Sequence, residues 1–180
     1  AHSINKDLCI GSLNNLGYVY FFEYNNPLKS YETLLKALKL SEETGIFESQ
    51  PHIYLNIANV FASMGEGVEA VKYLKKSISL SAALHTDDIL IISFIGLLNQ
   101  IYVAEAADFK TIAPEVKIFR NAPIDRSTEL YQYAVLFLEG VRAAEDGRYD
   151  AAIKAFEKAL GSIDSTFTPE RYKYTVLSAI

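Results

Sequence analysis

Three histidines, His2, His52 and His85, are the residues of this chain best suited to hold a metal or move a proton. They stand far apart, and none has a cysteine or carboxylate at ligand spacing, so a zinc site lacks its remaining ligands. Carboxylates are paired at Glu42-Glu43 and Asp87-Asp88. Both pairs read as solvated helix ends rather than as an acid and its base. Gly65-Glu66-Gly67 is a lone Gly-x-Gly, and a turn between helices explains it without a phosphate. No Gly-x-Ser-x-Gly elbow and no P-loop occurs. Cys9, the single cysteine, cannot form an internal disulfide and is expected to be a small buried hydrophobe in the first helix. An active site needs a base and a nucleophile within hydrogen-bond reach, and nothing here suggests one. The expectation is a non-catalytic chain with no metal and no cofactor.

What must then be positioned is a surface. The chain has 180 residues, 50% hydrophobic, with a formal net charge of −5. That length supports one domain, residues 1–180, with a substantial core. The acidic balance, with no Lys/Arg stripe, argues against direct nucleic-acid binding. The most apolar run, Ile89 to Leu98, is about half the ~20 residues that span a bilayer, and reads as a doubly buried helix rather than as a membrane insertion.

Apolar residues recur at helical spacing, and no alternating strand pattern survives. The segment Gly147 to Leu160 reads as a helix entered from a glycine turn, with Tyr149, Ala152, Phe156, Ala159 and Leu160 on one face. The same grammar occurs upstream. Ala37-Leu38, Ser77-Ile78 and Ala159-Leu160 mark second-helix ends at one or two intervals of about forty residues, with a degenerate pair near Ile118-Phe119. Gly17, Ala58 and Gly140 keep the same beat in the first helices, and Asn99 falls where their middle member would stand. Helices are expected at 7–23, 28–45, 51–64, 67–82, 87–105, 108–120 (broken by Pro114), 127–146, 149–163 and 169–180. Asn26-Pro27, Thr86-Asp87-Asp88 and Ser127-Thr128 supply starts, and Thr44-Gly45 a stop.

These residues resemble the tetratricopeptide repeat family. In the second repeat the pattern is Ala58, Phe61, Gly65, Ala70, Leu74 and Ser77-Ile78; in the fourth it is Gly140, Ala143, Gly147, Ala152, Phe156 and Ala159-Leu160. The first has Leu16-Gly17, Tyr20, Leu34 and Ala37-Leu38, and the third departs furthest. The period exceeds the family's usual ~34 residues, and so looks like the long-period arrays of bacterial signalling and transcriptional regulators. The resemblance implies an all-α, right-handed α-α superhelix of about four helix-turn-helix repeats (7–45, 51–82, 87–120, 127–163) and a partial fifth at 169–180. The open-ended first and last helices lead us to expect a piece of a longer protein.

The resemblance also implies a concave groove lined by the first helix of each pair. Carried across, its positions are Asn14, Tyr18 and Phe21; His52, Leu55, Asn59 and Ala62; Gly96, Gln100 and Val103; and Ala134, Phe137, Val141 and Glu145. The carboxamides of Asn14, Asn59 and Gln100 suit a peptide backbone, and Tyr18, Phe21 and Phe137 suit apolar side chains. None of these positions is Lys or Arg, so the family's carboxylate clamp is disfavoured. Asn15, Asn56, Tyr20 and Phe61 are expected to be structural. The implied function is a protein- or peptide-binding module, the sensory or interaction part of a bacterial regulator. The alternative is a free-standing scaffold or co-chaperone that mediates assembly, with a homodimer through the last helix, where Tyr172, Val176 and Ile180 align.

Overall fold

In the computed structural model the chain is described over residues 2–102, 105 and 107–162, and within these it forms helices and no strand. Four antiparallel pairs follow one another: α1 (His2–Phe22) with α2 (Pro27–Thr44), α3 (Gln50–Ser63) with α4 (Gly67–Leu84), α5 (Asp87–Tyr102) with α6 (Ala113–Asn121), and α7 (Glu129–Glu145) with α8 (Tyr149–Gly161). The all-α solenoid expected from the repeats is what the chain adopts. The expected fifth repeat at 169–180, and the dimer through it, lie outside the described residues.

Helix starts and stops follow local chemistry. The Asn26 side chain accepts from the Lys29 N–H at 3.1 Å, with Pro27 in the first turn where its missing N–H costs nothing. The Thr128 hydroxyl accepts from the Tyr131 N–H at 3.3 Å to open α7. Gly65 and Gly147 turn the second and fourth hairpins at φ values of 76° and 73°, a left-handed region that side chains with a Cβ resist.

Within a hairpin, close approach depends on one small residue. A Cβ added to Gly17 would stand 2.6 Å from Leu34 Cγ, and one added to Gly140 would stand 2.4 Å from Phe156 Cε1. Phe156 is buried and packs on Phe137 at 5.5 Å and Tyr102 at 5.3 Å between ring centroids. In the first pair the Ser30 hydroxyl donates to the Gly17 carbonyl at 2.7 Å, another sign of how near the backbones lie. Two apolar clusters result. Ile10, Leu34, Ala37, Ile53, Ile57 and Val60 form one, and α3 passes Leu55 and Ala58 into the larger one, which runs on to α8. Tyr73 touches both, stacking on Phe61 at 5.6 Å; burial above all, then Tyr31, pushes its phenol up to about 12. Cys9, expected to be buried, is exposed; its neighbour Ile10 takes the core position. Tyr149 is likewise 67% exposed at the start of α8 rather than on its buried face.

The third pair departs from the others. Asn99 falls in the sequence register of Gly17 and Gly140, and its Oδ1 is buried without a hydrogen-bond partner. Pro114 ends one conformation and begins another: a 3-10 turn, Phe109–Ile112, precedes it, and Pro114 itself sits in the first turn of α6. The helix is only 9 residues long and packs chiefly against α4 rather than α5. Lys75 on α4 holds it there, with Nζ 3.5 Å from Glu115 Oε2 and 2.8 Å from the Thr111 carbonyl. Phe119 anchors its far end between Phe94 (4.2 Å) and Tyr131 (5.2 Å). With α6 set aside, α7 packs directly on α5.

Two outcomes follow. Phe156→Ala should lower the unfolding free energy by about 3–5 kcal/mol in denaturant titration, as for other buried aromatics; unchanged melting would contradict the hairpin packing. Amide exchange in α6 should be faster than in α2, α4 and α8, and Lys75→Met, which strands the buried Glu115 carboxylate, should accelerate it further. Uniform protection across the second helices would contradict the account of α6.

Candidate functional site

The first helices of three successive pairs stand side by side and wall a groove of about 810 Å³. From α1 come Asn14, Asn15, Tyr18, Phe21 and Phe22; from α3 come His52, Leu55, Asn56, Asn59, Ala62 and Ser63; from α5 come Ile92, Ile95, Gly96, Asn99 and Gln100. The 3.6-residue period accounts for the sets. On α3, residues 52, 55, 56, 59, 62 and 63 form one continuous stripe. The stripe opposite, Ile53, Ile57 and Val60, is buried in the core.

Nine of the fourteen positions carried across therefore meet: Asn14, Tyr18, Phe21, His52, Leu55, Asn59, Ala62, Gly96 and Gln100 all line this groove. Phe137 and Val141 do not. Both are wholly buried, as is Ala134 beside them. The reason is the displaced α6. Direct packing of α7 on α5 takes into the core the face that would have continued the groove. The Val103 side chain lies outside the described residues, and Glu145 is exposed at the end of α7.

Asn15 and Asn56, expected to be structural, also face the groove. Asn56 Nδ2 donates to Asn14 Oδ1 at 3.0 Å, tying α3 to α1 across the floor. The aromatic end is closely knit: the Tyr18 and Phe22 rings lie 4.4 Å apart and Phe21 and Phe22 4.6 Å. Phe61, by contrast, sits where expected, between Tyr31 at 5.2 Å and Tyr73 at 5.6 Å, and supports the hairpin from behind. The helical period itself was the signal for the missed positions: Asn15 and Asn56 lie one and four residues from assigned ones, within the width of a single helix face.

Electrically the groove is quiet. No Lys, Arg, Asp or Glu lines it. His52 is the only titratable imidazole there, and removal of water around its ring pushes its pKa below 6.5. Such a ring is neutral at pH 7. Among the described residues no group of three His, Cys, Asp or Glu converges as a metal site, and no described helix is long and apolar enough to cross a membrane.

Residues 51–84 and 141–164 match the tetratricopeptide repeat family model. The first is the hairpin of α3 and α4, and the second includes the end of α7 and all of α8. Comparison with curated proteins and with solved structures finds no match. Tetratricopeptide repeats imply a module for protein–protein interaction, generally a non-catalytic one.

The His52 ring supplies a pH test. A pKa lowered by folding means that the unfolded chain binds the proton more readily, so the neutral ring's contribution to stability is full above 6.5 and falls as the pH drops below it. An NMR titration should place the His52 midpoint below 6.5 in the native chain. A midpoint at or above that value would contradict desolvation in the groove.

Proposed function

We propose that the groove walled by α1, α3 and α5 grips a segment of another polypeptide, and that the chain serves as the sensory or interaction part of a bacterial signalling or transcriptional regulator. The observation that carries the binding reading is the convergence of Asn14, Asn56, Asn59 and Gln100 with Tyr18 and Phe21 in one depression. Carboxamides donate and accept at once, and so match the N–H and C=O groups of a peptide backbone. Aromatic rings beside them offer a seat for an apolar side chain. The regulator reading leans on the forty-residue period of the repeats. The missing groove lysines and arginines weigh against a co-chaperone of the carboxylate-clamp kind.

The test is a random peptide library displayed on phage and selected on the wild-type chain. Selected peptides should lose at least about tenfold in affinity, roughly 1.4 kcal/mol, for a Tyr18→Ala, Asn59→Ala variant that melts near the wild type. Peptides that bind the variant equally well would remove the groove from the function.

A further inference from the structure

The distribution of charge between the two kinds of helix bears on what the groove can hold. Across α1, α3 and α5 the acidic and basic residues are Lys6, Asp7, Asp87 and Asp88, all near the start of α1 or α5, and α3 has none. The second helices of the same pairs carry Lys29, Glu32, Lys36, Lys39, Glu42 and Glu43 in α2, and Glu69, Lys72, Lys75 and Lys76 in α4. The lining mixes apolar side chains such as Leu55, Ile92 and Ile95 with uncharged polar ones. Asn14, Asn15, Asn56, Asn59, Asn99 and Gln100 crowd it with carboxamides. The bond from Asn56 Nδ2 to Asn14 Oδ1 leaves the Asn14 amide N–H groups and the Asn56 carbonyl oxygen for a third partner.

We infer that the groove takes an uncharged peptide segment, held by its backbone amides, and turns away segments that present lysine, arginine, aspartate or glutamate to it. The inference rests on the binding role proposed above and narrows its ligand. A charged side chain entering the groove would surrender hydration and meet no counter-charge, since His52 is neutral there and all other lining residues are uncharged. A terminal carboxylate or ammonium meets the same penalty. A backbone N–H or C=O loses less on leaving water and recovers it from the carboxamides. Selection by exclusion acts on both signs of charge equally. It also leaves binding without the long-range attraction that salt screens.

The experiment uses N-acetylated, C-amidated peptides taken from the display selection, measured by fluorescence anisotropy on the 180-residue chain. Binders that depend on Tyr18 and Asn59 should have uncharged central residues. Placing Lys or Glu at the centre should weaken binding at least about tenfold for either sign, and Kd should change less than about twofold between low and high salt. Groove-dependent peptides with charged centres, or a Kd that shifts about tenfold with salt, would overturn this inference and leave the binding role standing. Failure of any peptide to bind through the groove would overturn the binding role, and this inference with it.

Discussion

The close crossing of two helices at a residue with almost no side chain is the contact on which this molecule depends. At Gly17 and Gly140 there is no room for even one more carbon, because Leu34 and Phe156 already occupy it. Each filled crossing sets the tilt of one helix pair, and each pair offers its neighbour a face that neither of its helices can bury alone. The stacked faces become the core, and the first helices are left in a row. In the third pair, where Asn99 falls in the register of Gly17 and Gly140, α6 packs chiefly on α4. The unpartnered oxygen of Asn99 is a standing cost within the fold.

Polarity is divided between the helices by the same arrangement. Second helices turn their outer faces to solvent and carry most of the charge of the first two pairs, much of it at helical spacing, as in Lys39 with Glu43 at 3.8 Å. Such exposed pairs contribute little energy. Along the groove the first helices present carboxamides and rings to solvent.

Much of this was legible in the sequence, for identifiable reasons. Periodicity and caps located eight helices, with Pro27, Gly65 and Gly147 marking boundaries through backbone constraints that act locally. α1 begins earlier than expected, at His2, because no cap or breaker marks its start. Groove positions on α1, α3 and α5 follow from helical phase once the first helices are aligned. Phe137 and Val141 have the correct phase but the wrong surroundings. Their burial depends on how α7 meets α5 and α8, as where Phe137 packs on Phe156, contacts made between residues distant in sequence. Cys9 is exposed for a smaller reason. A first helix has a neighbour on one side only, so half of what periodicity marks as apolar remains in water.

The sidelined α6 makes α5 the spine of the molecule. One flank of α5 lines the groove through Ile92, Gly96 and Gln100, and another bears directly on α7. The depression and the α7–α8 pair thus share one supporting helix. The short sixth helix is wedged beside that support, its Phe119 ring bridging Phe94 of α5 and Tyr131 of α7.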